Sequence, residues 1–154
     1  MGGKVEHIHI AETAGAPMQS LASAKAVAGV GLMGDRYARR DGFWKDSSEE
    51  SRDVTLIEAE EIERLASQSG IELDPGQSRR NLTTRGVRLN DLVGKEFWIG
   101  GVLARATELC EPCTHLVALT GKAVIKPLAH RGGLRADLLS SGQINVGDPI
   151  HVKD

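Results

Sequence analysis

The sequence predicts a mainly β protein with a few helices, folded as one domain over residues 1–154. Three observations favour this class. Glycine occurs 18 times, which indicates many tight turns and close backbone approaches. Short apolar runs separated by glycine recur along the chain, as they do in barrels of short strands. The chain is long enough to bury one core, and it contains no repeat or linker that would divide it.

Apolar runs bounded by glycine or polar residues predict most of the strands. In order, these strands are expected at residues 4–10, 25–30, 54–57, 81–84, 96–99 and 102–109. Gly100-Gly101 joins the last two runs and is a two-residue hairpin signal. Residues 134–139 fit either a strand or a helix, and residues 142–152 predict a turn, a strand, a second turn and a second strand.

Two helices are predicted between these strands. In residues 58–68, Ile62 and Leu65 are three apart among charged residues, which is typical of an amphipathic surface helix. Gly70 is a suitable end for this helix. A second, short helix is predicted over residues 112–119, because it begins with proline, a residue that suits the first helical turn.

Composition and charge exclude several classes of protein. A net charge of −2 and an isoelectric point near 6.2 argue against nucleic-acid or membrane-surface partners. The chain has no apolar run long enough to span a bilayer and no apolar leader at its start, so we expect a cytoplasmic protein. Of its 19 basic residues 12 are arginine, and this excess of arginine over lysine favours a small anionic ligand. Arginine that lies on the surface and binds no ligand explains the excess equally well.

The only two cysteines lie in one Cys110-Glu-Pro-Cys113 motif between a predicted strand and a predicted helix. Cys113 would lie in the first helical turn, where unpaired N–H groups lower the pKa of a thiol. Such a thiolate binds a soft metal, attacks an electrophile or carries sulfur. The alternatives are two small buried hydrophobic residues, or a zinc site completed by His115 and His130. A thioredoxin-type disulfide is disfavoured, because the pattern lacks a βαβ setting.

Three segments place arginine beside glycine or small polar residues, as anion-binding loops do. They are Gly34-Asp35-Arg36, Arg79-Arg80-Asn81 followed by Thr83, and His130-Arg131-Gly132-Gly133. Adjacent residues of a strand point to opposite faces, so at most one of Arg79 and Arg80 would enter a given pocket, with Asn81 on the face of Arg79. A solvated basic edge and a local Asp35–Arg36 pair are the alternatives.

Taken in order, five segments resemble the MOSC domain, which is named for the C-terminal domain of molybdenum cofactor sulfurase. They span nearly the whole chain in the family's order and begin at residues 31, 54, 79, 109 and 142. Their sequences are Gly-Leu-Met-Gly-Asp-Arg-Tyr, Val-Thr-Leu-Ile-Glu-Ala-Glu, Arg-Arg-Asn-Leu-Thr-Thr-Arg-Gly-Val-Arg-Leu, Leu-Cys-Glu-Pro-Cys-Thr-His-Leu and Gly-Gln-Ile-Asn-Val-Gly-Asp-Pro-Ile. The ordered set carries the resemblance, because no single segment is diagnostic.

The resemblance implies a partly open barrel of the pyruvate-kinase β-barrel-like kind, with a pocket for the molybdenum cofactor. It implies that Cys113 is the thiolate on molybdenum or the acceptor of sulfur, and a soft thiolate suits that metal. His115 or His130 would supply a proton. The remaining cofactor contacts that we expect are Gly34, Asp35, Arg36, Arg79, Arg80, Asn81, Thr83 and Arg131.

The function that we expect is reduction of a small N-hydroxylated substrate, such as a hydroxylamino-purine or an amidoxime, with electrons from a separate reductase. The first alternative is a carrier of sulfur or of the cofactor, with a Cys113 persulfide formed by a separate cysteine desulfurase. The second is a structural or regulatory domain that lacks chemistry. We expect the stand-alone bacterial form, without the pyridoxal-phosphate, additional barrel or iron–sulfur domains that some relatives carry.

Overall fold

The computed structural model describes residues 3–13, 15–36, 53–74, 76–110 and 132–153. Within these ranges the chain forms eleven β-strands, one α-helix and one short 3-10 helix. The elements are β1 (Gly3–Ile10), β2 (Gln19–Leu21), β3 (Ser23–Val27), β4 (Gly31–Leu32), β5 (Val54–Glu58), α1 (Ala59–Ser69), β6 (Leu82–Arg85), the 3-10 helix (Leu89–Leu92), β7 (Glu96–Ile99), β8 (Val102–Leu109), β9 (Leu134–Leu138), β10 (Gly142–Asn145) and β11 (Pro149–Val152).

Seven of the strands close into a barrel. Their order around the ring is β11-β7-β8-β9-β5-β6-β1, and β1 pairs with β11 to complete it. β1 divides one of its edges between two partners: Gly3 and Lys4 pair with β11, whereas its last three residues pair with β2. The predicted mainly β barrel is confirmed. The barrel is closed, whereas the sequence analysis predicts a partly open one. The pairing of β1 with β11, which closes the barrel, contains two residue pairs.

The barrel interior is filled by side chains that alternate along the strands. In β8, Val102, Ala104 and Ala106 are buried while Arg105 is exposed, as the period of two in a strand requires. β5 and β6 are instead buried on both faces, because α1 packs against them from outside. The largest fully buried side chains include Phe97, Ile8, Leu56, Leu82 and Leu134.

The helix α1 begins and ends close to where the sequence predicts. Glu60 and Glu61 lie in its first turn, where negative charge is favourable near the unpaired N–H groups. Gly70 ends it in the left-handed conformation with a φ of 68°, and its N–H donates to the carbonyl of Ala66 over 3.1 Å. The α1 segment also carries the chain from β5 to its parallel neighbour β6. In the part of the chain that is described, no helix is long and apolar enough to cross a bilayer.

Several predicted bounds shift, and two strands were not predicted. The strand expected at residues 25–30 lies at Ser23–Val27, and residues 134–139 form a strand rather than a helix. β2 and β4 have three and two residues, too few to give a periodic signal. β4 and β10 flank β3 in a separate three-stranded sheet. The helix predicted over residues 112–119 lies outside the described residues.

Candidate functional site

The arginine-bearing segments meet near the end of β1, where Ile10 and Ala11 leave the barrel. The Nη2 of Arg36 donates to the carbonyl of Arg79 over 2.8 Å, which joins the first segment to the second. The Nε of Arg80 donates to the carbonyl of Gly132 over 2.8 Å, which joins the second segment to the third. Segments that are 43 and 52 residues apart in the sequence therefore form one cluster.

Asp35 and Arg36 point inward as a local pair. Gly34 has a φ of 88°, a conformation that suits glycine, and it turns the chain after β4. Asp35 is fully buried, and its Oδ1 accepts from the N–H of Ala11 at 3.0 Å and from Nη1 of Arg36 at 3.1 Å. Both predicted features are present, the inward direction and the local pair. The carboxylate of Asp35 orients the guanidinium of Arg36 toward Arg79.

Arg79 lies in a turn and not on a strand, so the predicted alternation of faces does not apply to it. Its φ is 64°, and its N–H donates to the carbonyl of Gly76 over 3.0 Å, before β6 begins at Leu82. Its Nη1 donates to the carbonyl of Ala16. The side chains of Arg79 and Arg80 still diverge, as predicted, but because of the turn rather than the pleat.

Arg80 is a buried cation whose side chain donates to carbonyl oxygens in the described part of the chain. It is 7% exposed, and it donates to Gly132 over 2.8 Å, to Cys110 over 3.0 Å and to Ser78 over 3.4 Å. No carboxylate among the described residues pairs with it. A buried charge is costly unless opposite charge compensates it. The cluster therefore holds a positive charge that favours an anion nearby.

Asn81 connects two barrel strands from inside the protein. It is fully buried, and its Oδ1 accepts from the N–H of Thr55 at 2.9 Å and from the Thr55 hydroxyl at 3.2 Å. Its Nδ2 donates to the carbonyl of His9 over 3.2 Å. Thr83 lies deeper in β6, paired with His7 and with Ile57. The amide of Asn81 is thus engaged with β5 and β1, beside the arginine cluster.

His9 belongs to this cluster and was not predicted from the sequence. It is 2% exposed, and no hydrogen-bond partner in the described part of the chain reaches its Nδ1. Its ring packs under Gly76, where a Cβ would lie 2.9 Å from the ring carbon Cδ2. Burial lowers the pKa of His9, and the positive charge of nearby His7 lowers it further. The sequence did not predict this burial, because a histidine in a predicted strand is not by itself a sign of a buried side chain.

The buried imidazole predicts a specific loss of stability in acid. Because the folded state lowers the pKa of His9, the unfolded chain binds more protons below pH 6.5, and the free energy of unfolding falls as the pH falls. Urea unfolding of the His9→Gln variant should therefore show a smaller loss between pH 7.5 and pH 5.5. The difference is at most about 1.4 kcal/mol, because one histidine with an ordinary pKa in the unfolded chain can contribute no more over this range.

The control for this prediction is the exposed His151 on β11. His151→Gln should keep the full dependence on pH, because this side chain is exposed and lies outside the buried cluster that contains His9. A His9→Gln variant with the pH dependence of the unchanged protein would contradict the prediction.

The predicted catalytic and metal-binding residues lie outside the described residues. They are Cys113, His115 and His130. The predicted cofactor contact Arg131 also lies outside the described residues, and the roles of all four stay predictions. Of the proposed zinc ligands only Cys110 is described. It is a free and buried cysteine, and its N–H donates to the carbonyl of Gly133 over 2.8 Å.

Comparison with known proteins decides the family. A family model of the MOSC domain matches residues 33–151, well over half of the chain. The chain belongs to the MOSC domain family. That family is associated with binding of the molybdenum cofactor. No curated protein matches this MOSC domain.

Solved structures show the same fold at low sequence identity. The YuaD protein from Bacillus subtilis is 18% identical with a TM-score of 0.79, over 99% of this chain and 96% of that chain. YiiM from Geobacillus stearothermophilus is 14% identical with a TM-score of 0.74, over 99% and 75% of the two chains. YiiM from Escherichia coli is 16% identical with a TM-score of 0.69, over 100% and 70%. The barrel of this MOSC domain is therefore shared with these proteins.

Proposed function

We propose that this MOSC domain binds the molybdenum cofactor and reduces N-hydroxylated compounds, such as hydroxylamino-purines and amidoximes, with electrons from a separate reductase. The observation that carries the proposal is the arginine cluster. Arg36 contacts the backbone of Arg79, and the adjacent Arg80 contacts the carbonyl of Cys110, where the chain passes into residues 111–131, which contain Cys113. A cationic cluster therefore lies next to the start of the segment that carries the proposed metal ligand.

The residues present fit an anionic cofactor that contains a soft metal. The molybdenum cofactor carries a phosphate tail and a dithiolene, so it needs cationic donors. Arg80 is a buried cation whose acceptors among the described residues are carbonyls, which favours negative charge nearby. Arginine also binds phosphate through two donors at once. A cysteine thiolate is the protein ligand that a soft metal prefers.

We assign roles to the residues of this chain as follows. Arg36 and Arg79 would hold the phosphate, the Cys113 thiolate would hold molybdenum, and His115 or His130 would deliver a proton to the substrate. When bound, the cofactor supplies a redox centre that passes two electrons to the substrate. The overall reaction takes up two electrons and two protons, breaks the N–O bond and releases one water.

The test is reduction of an amidoxime and of a hydroxylamino-purine by protein purified without oxygen from a cofactor-replete host. A reduced viologen dye replaces the reductase, and its oxidation reports turnover. We expect turnover by the unchanged protein and a fall to the buffer background in Cys113→Ser. Cys110→Ala serves as the matched cysteine control and should keep turnover. Full activity of Cys113→Ser would contradict the proposal.

The same preparations discriminate the proposal from a sulfur carrier. A carrier would gain the mass of one sulfur atom on Cys113 after exposure to a cysteine desulfurase, and it would not turn over either substrate. Mass spectrometry of the Cys113 peptide measures this change directly. A sulfur adduct without turnover would favour the carrier over the reductase.

A further inference from the structure

We propose that Arg80 is a positioning residue that fixes where residues 111–131 join the barrel. These residues, called here the Cys113 segment, lie between Cys110 and Gly132. The guanidinium of Arg80 donates to the carbonyls of both flanking residues, at 3.0 Å and 2.8 Å. Its functional consequence rests on the proposed role of Cys113, while the contacts that define it involve only described residues.

The two carbonyls lie at the ends of neighbouring strands. β8 and β9 are antiparallel and pair at Leu109 and Leu134, and the N–H of Cys110 donates to the carbonyl of Gly133 over 2.8 Å. Arg80 reaches this place from a different part of the barrel, just before β6. It therefore adds a link that the ladder between β8 and β9 does not provide.

The backbone at Gly133 is shaped to permit this link. Its φ is 116°, and a Cβ there would lie 2.0 Å from the carbonyl oxygen of Leu56 and 3.4 Å from the Nε of Arg80. Only glycine allows the chain to pass this close to both β5 and the guanidinium. The direction of the adjacent Gly132 carbonyl follows from that close approach.

The chemistry explains why arginine and not lysine occupies this position. The planar guanidinium donates from separate nitrogens in fixed directions, so Nε and Nη2 reach two carbonyls at once. An ammonium is a compact charge on a flexible stem and lacks this fixed fork. Arg80 is also 7% exposed, so water does not compete strongly for these bonds.

A change at Cys110 reaches Cys113 over a short length of chain. Three residues of chain span at most about 11 Å, since consecutive Cα atoms are 3.8 Å apart. Loss of the Arg80 link therefore frees the carbonyl of Cys110, which is three residues from the proposed metal ligand. We expect the retention of metal to depend on Arg80.

Amide hydrogen exchange followed by NMR tests this role without reference to activity. The probe is the N–H of Cys110, and the N–H of Ala106, which donates to Lys95 over 2.9 Å, is the internal reference. In Arg80→Gln we expect exchange at Cys110 to rise about tenfold or more with little change at Ala106, which corresponds to a local loss of protection of about 1.4 kcal/mol. Arg80→Lys should show an intermediate increase.

The matched control is Arg85→Gln. Arg85 lies on β6, a few residues from Arg80, and pairs with Glu6 and Glu63 on the outside of the barrel. Its replacement should leave exchange at Cys110 unchanged. A folded Arg80→Gln variant with unchanged exchange at Cys110, or with an equal increase at Ala106, would overturn the proposal. If Arg80→Gln does not fold, unchanged exchange at Cys110 in Arg80→Lys would overturn it.

Molybdenum content of the same variants keeps this inference separate from the proposed function. If the unchanged protein binds molybdenum, Arg80→Gln should hold less of it per chain. If the unchanged protein binds none while exchange at Cys110 still depends on Arg80, the proposed function fails and the positioning role stands.

Discussion

Gly133→Ala is expected to lower the melting temperature by roughly 6–20 °C. The new Cβ would lie 2.0 Å from the carbonyl oxygen of Leu56, which is backbone of a central strand and cannot move aside cheaply. The φ of 116° adds strain for any residue with a side chain. Together these effects cost about 3–5 kcal/mol, and 1 kcal/mol corresponds to roughly 2–4 °C in a domain of this size. Thermal unfolding followed by circular dichroism measures the change.

Gly101→Ala is the control for this substitution. Gly101 lies in the turn between β7 and β8, and no atom lies within 4 Å of the place its Cβ would take. Alanine there should change the free energy of unfolding by less than about 0.5 kcal/mol, since an exposed site without steric conflict gives small effects. Equal melting temperatures for Gly133→Ala and the unchanged protein would contradict the close contact between Gly133 and the carbonyl of Leu56.

Asn81→Ala is expected to cost about 3–5 kcal/mol. The amide of Asn81 makes three hydrogen bonds, two with Thr55 and one with the carbonyl of His9, and all of these groups are buried. Alanine leaves the N–H of Thr55 and the carbonyl of His9 without these partners, and each unsatisfied buried group costs about 1–3 kcal/mol. The cavity left by the amide adds to the loss. Urea denaturation measures the free energy of unfolding.

Asn145→Ala provides the matched asparagine control. Asn145 is exposed on β10, and its Oδ1 accepts from the side chain of Gln143 over 2.9 Å. This substitution should change the free energy of unfolding by less than about 0.5 kcal/mol. Similar, small losses for both variants would mean that Asn81 does not connect β5 and β1 as described.

The sequence predicts the regular part of this fold well. The hairpin is the clearest case, since β7 and β8 have the bounds that the two apolar runs and Gly100-Gly101 predict. The helix end at Gly70 is predicted for a similar reason, because glycine is the residue that best adopts the left-handed conformation there. Such features depend on neighbours in the sequence, so a local pattern is sufficient to find them. β4 has no such pattern, because two residues carry no period.

The sequence indicates segments that the arginine cluster contains, but not how these segments contact one another. Arginine beside glycine or small polar residues indicated three segments, and the structure joins Arg36 to Arg79 and Arg80 to Gly132. Two of the three carbonyl partners of Arg80 lie 30 and 52 residues away, so no local pattern could name them. The left-handed Arg79 and the buried His9 were missed for the same reason, because each depends on how distant segments pack.

Molybdenum per chain is the most direct test of the central claim, that Cys113 holds the cofactor beside the arginine cluster. The unchanged protein, Cys113→Ser and Arg85→Gln are purified without oxygen from a cofactor-replete host, and molybdenum, tungsten and zinc are measured by mass spectrometry. We expect close to one molybdenum per chain in the unchanged protein and in Arg85→Gln, and almost none in Cys113→Ser. Equal molybdenum in Cys113→Ser and the unchanged protein would contradict the claim, and so would zinc in place of molybdenum.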